Sequence, residues 1–205
     1  MKRYTIGLIL LLLVGCSKEP INYETTLVER DGVYYTKDTN KPYSGPVFSL
    51  YKNGEKESEG TFKDGKLDGL ITTWYENGQK LKERTFKDGK QDGLQTSWYK
   101  NGQKSAEGTF KDGKKDGLIT TWYENEQKKN EANFKDEKLD GWAAAWYENG
   151  QKKNEANFKD GKWDGLVTDW YENGQKSAEG TLKDGRVIDS RCWDVDGNVY
   201  KCESE

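Results

Sequence analysis

The stretch that decides the fold runs from Gly69 to Asp92 and reads G-L-I-T-T-W-Y-E-N-G-Q-K-L-K-E-R-T-F-K-D-G-K-Q-D. Two dipeptides divide it, Asn77-Gly78 and Asp88-Gly89. Asn-Gly and Asp-Gly between alternating segments are strong hairpin signals, because Gly accepts the positive φ of a tight turn. The turns leave strands of about six to eight residues between them. The Gly density alone excludes a helix.

Outward from this stretch the pattern repeats every 24 residues. Trp74, Trp98, Trp122, Trp146 and Trp170 are in step, each followed by Tyr. Phe62, Phe86, Phe110, Phe134 and Phe158 keep the same period, which Leu182 continues, and so do Glu59, Glu83, Glu107, Glu131, Glu155 and Glu179. Such self-similarity marks a repeat architecture in which stacked neighbours bury what one unit cannot. The sequence therefore predicts an all-β protein, an elongated single-sheet β-meander of tandem 24-residue hairpins, with about fourteen strands and a length on the order of 65 Å.

Strand alternation sorts side chains within each strand. Leu70, Thr72 and Trp74 share one side, and Ile71, Thr73 and Tyr75 the other. In the second strand Phe86 goes with Arg84, a position otherwise held by Gly108, Ala132, Ala156 and Gly180, while Glu83, Thr85 and Lys87 lie opposite. The expected result is an aromatic ladder on one face and a polar, variable face on the other. The array is expected over residues 27–205. Its first turn is Arg30-Asp31-Gly32, and its last unit is one residue short, with Trp193 and the turn Asp196-Gly197.

Composition removes several functions. There is no His, and 36 acidic residues outnumber 33 basic ones. Without His, Ser-His and Cys-His nucleophilic pairs and most zinc sites are absent. The charge balance does not favour nucleic acid, which requires a basic face. The expectation is a protein that is not an enzyme, with no catalytic residue, metal or cofactor.

The N-terminus reads as an address. Lys2 and Arg3 precede a short apolar run, Ile6 to Val14, that ends in L-V-G-C. That run is too short to span a bilayer as a helix. L-V-G-C resembles the lipobox of bacterial lipoproteins. The resemblance implies a signal peptide over 1–15, lipidation of Cys16, a tether over 16–26, and attachment to the membrane of the cell envelope by lipid. Ser17 after the Cys leans toward the outer membrane if the envelope is Gram-negative.

The pattern G-L-x-x-x-W-Y-E-N-G-Q-K followed by F-K-D-G-K-x-D-G resembles the bacterial variant of the MORN repeat, over about residues 27–200. Proteins of this kind carry the label of YwqK-type antitoxins. The resemblance implies hairpin meanders that serve as binding or scaffolding surfaces. A cytoplasmic antitoxin role fits poorly with export, so the expected function is a surface that binds a protein partner, with a glycan or cell-wall ligand, or the antitoxin-like inhibitor that the family label implies, as the alternatives.

Four side chains stand out. Cys192 and Cys202 flank the last turn, and in an oxidising compartment such a pair favours a disulfide over two free thiols. Trp142 takes a position otherwise held by Leu, and Trp163 one held by Leu67, Gln91, Lys115 and Leu139. These two out-of-pattern rings are the candidate ligand-binding aromatics. The Glu series reads as cross-strand charge pairing with the Lys residues in the same register. Finally, Glu126 and Glu137 replace Gly in two turns, which predicts the softest part of the array.

Overall fold

A computed structural model describes residues 18–202. The 24-residue unit folds as two strands, such as Gly69–Trp74 and Lys80–Lys87 or Lys90–Trp98 and Lys104–Lys111. From Gly45–Leu50 onward the strands pair antiparallel with their neighbours in chain order, apart from the short Lys66–Leu67, and end in Arg186–Trp193 and Val199–Tyr200. Ile21–Asn22 adds at the other edge, parallel to Val47–Phe48, to complete one sheet of sixteen strands.

The two turn signals build different turns. At Asp88-Gly89 both residues have positive φ (50° and 81°), and Lys87 pairs directly with Lys90. This is the two-residue turn whose twist suits a hairpin. At Asn77-Gly78 only Gly78 is left-handed (80°). There the Tyr75 N–H donates to the Gln79 carbonyl at 2.8 Å, and the Gln79 N–H donates to Asn77 Oδ1 at 3.1 Å.

Each sheet edge is stitched from repeat to repeat. Along the Asn-Gly edge, the Tyr hydroxyl of one unit donates to the Trp carbonyl of the next. The bonds run Tyr51 to Trp74 (2.6 Å), Tyr75 to Trp98 (2.9 Å), Tyr99 to Trp122 (2.6 Å), Tyr123 to Trp146 (2.9 Å), Tyr147 to Trp170 (2.8 Å) and Tyr171 to Trp193 (2.8 Å). Along the Asp-Gly edge, the Gly89 N–H donates to the Leu67 carbonyl at 2.8 Å and Gly113 to Gln91 at 2.7 Å. Asp68 Oδ2 also accepts from the Asp88 N–H at 3.3 Å. These bonds account for the recurring Trp-Tyr pair and for Asp68, Asp92 and Asp140, each of which accepts from the Asp of the next Asp-Gly turn.

Register corrects the expected aromatic ladder. Thr72 pairs with Glu83, Ile71 with Arg84 and Gly69 with Phe86. Directly paired residues point to the same face. Trp74 therefore shares a face with Thr72 and Glu83, and Phe86 lies on the opposite face with Ile71 and Arg84. Alternation fixes sides only within one strand. The turn and the register shift between Thr73 and Trp74 decide how adjacent strands align. We call these the Trp face and the Phe face. On the Phe face the small residues make room, since a Cβ at Gly60 or Gly108 would overlap Ile71 or Ile119 Cδ1.

The N-terminal end also departs from expectation. Residues 21–26, expected as part of a tether, form the edge strand and a single helical turn, Tyr23–Thr26, capped by Asn22. Leu27–Arg30 and Val33–Thr36 make a separate two-stranded hairpin outside the main sheet. This segment covers the Phe face of the first unit. Leu27, Val47 and Phe62 form the buried cluster there, with Tyr23, Tyr34 and Leu67 packed against it. Phe62 is 4% exposed.

Candidate interaction surface

The Trp face carries a charged row over aromatic rings. Lys56 Nζ lies 5.4 Å from the Trp74 ring centre, and Lys80, Lys104, Lys128 and Lys152 repeat this over Trp98, Trp122, Trp146 and Trp170. Each of these lysines also bonds the Glu three residues on, as in Lys104–Glu107 at 2.7 Å and Lys152–Glu155 at 2.7 Å. The pairing runs along one strand across its bulge, rather than between strands. Beneath this row Thr72, Thr96, Thr120 and Thr168 are buried. The Lys stem and head thus shield the ring and the Thr.

Beside that row the Trp face is apolar and open. Leu70, Leu94, Leu118 and Leu166 are 55%, 50%, 46% and 48% exposed. They pair with Thr85, Thr109, Asn133 and Thr181. One such side chain occurs per unit, two strands apart, so the spacing is about 9–10 Å. Trp142 stands in this row, paired with Asn157 and edge-on to Trp146 with ring centres 6.2 Å apart. The period was plain in the sequence. The exposure of the Leu row was not, because alternation says which residues share a face and not whether anything covers it.

Trp163 lies on the other face. It pairs with Phe158, ring centres 6.3 Å apart, and is 46% exposed. The two out-of-pattern tryptophans therefore face opposite sides of the sheet, and no single small ligand touches both. Asp169 lies on the Phe face too, paired with Asn154 and Ala178. Burial pushes its carboxyl above the ordinary value, against a lowering effect of Lys153. The sequence reading passed over Asp169. The available signal was a carboxylate at a position held by Thr73, Ser97, Thr121 and Ala145.

At the distal end the sulfurs of Cys192 and Cys202 are bonded, with Cα atoms 5.4 Å apart. Cys192 pairs with Ala178 on one side and Tyr200 on the other, so the bond ties the last hairpin to the sheet edge. Cys16 lies outside the described residues. Among the described residues, no group of three or more His, Cys, Asp or Glu is placed to hold a metal ion.

The arrangement offers a broad, repeating surface with open apolar rows, and comparison with known families agrees with its period. The family described as MORN repeat variant matches residues 67–88, 91–112, 115–136, 144–160 and 163–184. None of the curated proteins matches the chain. The matched segments cover half of the chain and coincide with the hairpin units, and the chain belongs to the MORN repeat variant family.

Proposed function

We propose that this protein is a non-catalytic lipoprotein of the cell envelope whose repeat sheet binds a protein partner. The observation that carries the reading is the row of exposed Leu70, Leu94, Leu118 and Leu166, with half-buried Trp142 in the same register, beside Lys, Glu and Trp side chains that engage one another. Contiguous exposed apolar patches of more than a few hundred Å² mark interaction sites. A row with a period of about 9–10 Å suits an extended partner better than a small ligand. Export and lipidation at Cys16 rest on the apolar run and L-V-G-C of the N-terminus.

Two experiments test this. Affinity capture from envelope extracts uses the full chain and a Leu94→Lys, Leu118→Lys variant as bait. Proteins held by the first and lost from the second support the reading, and an identical set on both baits contradicts it. For the anchor, Cys16→Ser should abolish labelling by radioactive palmitate and move the protein from the membrane to the soluble fraction. Unchanged fractionation would overturn the lipid attachment.

A further inference from the structure

The Phe face of the first unit is occupied by the chain itself. Tyr23 and Tyr34 pack on Phe62, with ring centres 6.2 and 4.7 Å away. The recess they line is floored by Val47, Gly60, Phe62, Leu67, Ile71 and Thr73. The Tyr34 N–H also donates to the Gly65 carbonyl at 2.8 Å.

Shifted by four repeats, those floor positions become Ala143, Ala156, Phe158, Trp163, Val167 and Asp169. These residues line a second recess, of about 280 Å³, on the same face. Here no segment of the described chain takes the place of Tyr23 and Tyr34. Gly65 is buried, whereas Gly161, at the corresponding turn, is exposed. The recess continues toward the disulfide as a groove of about 370 Å³ that shares Trp163, Val167 and Asp169.

The units in between are filled by their own side chains. Arg84 lies over Phe86 at 5.3 Å, Gln91 bonds Gln95 at 2.9 Å, and Lys115 lies over Phe134 at 5.0 Å. Here the place of Arg84 is taken by Ala132 and Ala156 and that of Gln95 by Ala143, while Leu139 and Trp163 stand where Gln91 and Lys115 do and wall the recess. Chemistry changes at one end as well. Where Thr73 lies near Tyr23, the shifted site has Asp169, which no hydrogen bond or ion pair engages among the described residues.

We infer that this recess docks an extended segment of a protein partner that sets an aromatic ring against Phe158 and Trp163 and a basic side chain against Asp169. Occupation of the equivalent surface by Tyr23 and Tyr34 shows what shape the face accepts, and the unpaired carboxylate sets the charge of the occupant. Trp163 and Asp169 face Phe158 and Asn154, four residues apart on the neighbouring strand, so they lie about 13 Å apart, the reach of about four residues of extended peptide. The inference shares with the proposed function only the premise that the partner is a protein, and it uses the opposite face.

The probes are synthetic peptides of residues 21–36 of this chain, one with Tyr23→Lys and one with Tyr23→Glu, titrated into the full chain and followed by fluorescence anisotropy. The Lys peptide should bind about tenfold more tightly than the Glu peptide, as a charge-assisted pair provides. Asp169→Asn should erase that difference, and Ala156→Phe should abolish binding of both while the thermal transition stays cooperative. Leu94→Lys, Leu118→Lys, on the Trp face, should leave both affinities unchanged. Failure of both peptides to bind at millimolar concentration overturns the inference, as does a Lys preference that survives Asp169→Asn. If the Leu variant loses its captured partners while neither peptide binds, the groove inference falls and the proposed function stands.

Discussion

Glu126 and Glu137 sit in left-handed turn positions that Gly occupies elsewhere, with φ of 66° and 71°. A non-Gly residue there costs on the order of 1 kcal/mol. The turns keep their hydrogen bonds, Glu126 N–H to the Tyr123 carbonyl and Glu137 N–H to the Lys115 carbonyl. The two sites lie at opposite ends of the strand Lys128–Lys135 and differ in compensation. Glu137 Oε1 accepts from the Lys115 N–H at 2.7 Å, a bond that Gly would lose. Glu126→Gly should therefore raise the melting temperature by about 2–4 °C, and Glu137→Gly by less. A larger gain at 137 than at 126 would contradict this ranking. Asp169 offers a second test. Its folded-state pKa is raised, so its contribution is full below the unfolded carboxyl value and is lost as pH rises through the folded one. Asp169→Thr, the residue at positions 73 and 121, should stabilise the protein at neutral pH and lose that advantage in acid. Urea midpoints across that range check it.

At the scale of the element, each repeat is tied to the next by a Tyr hydroxyl on a Trp carbonyl. Tyr123→Phe should cost about 1 kcal/mol, because the Trp146 carbonyl loses its donor. Burial pushes the phenols of Tyr51, Tyr99 and Tyr171 up, with Glu57 and Glu124 adding at the first two. A raised folded-state pKa means that this stability is complete below the unfolded value, about 10, and lost as pH rises through the folded one. The urea midpoint should fall above about pH 10, and a Tyr51→Phe, Tyr99→Phe double variant should show a flatter fall. Strands, turns and period were all legible in the sequence, because Asn-Gly, Asp-Gly and alternation act locally. Register between strands was not. Placing Phe86 opposite Gly69 rather than beside Trp74 depends on a bulge that no residue pattern announces. Trp142 and Trp163 stood out as exceptions to the period, yet only register shows that they face opposite sides of the sheet.

For the whole molecule, stability is expected to be a sum over units and their shared edges rather than the product of one central core. The buried cluster at Leu27, Val47 and Phe62 closes one end, and the Cys192–Cys202 bond closes the other. Reduction of that bond should loosen the last hairpin first, seen as faster hydrogen exchange in residues 186–202 with the central units unchanged. The central claim is that the units are equivalent under a shift of 24 residues, and the site inferred at Ala143–Asp169 depends on that same equivalence. Deletion of residues 93–116 tests it most directly. The shortened chain should fold with a cooperative thermal transition and an unchanged strand signal per residue, since Tyr75 can then reach the carbonyl of Trp122 as it now reaches that of Trp98. A deletion variant that aggregates, or melts without cooperativity while the parent chain melts sharply, would contradict the account.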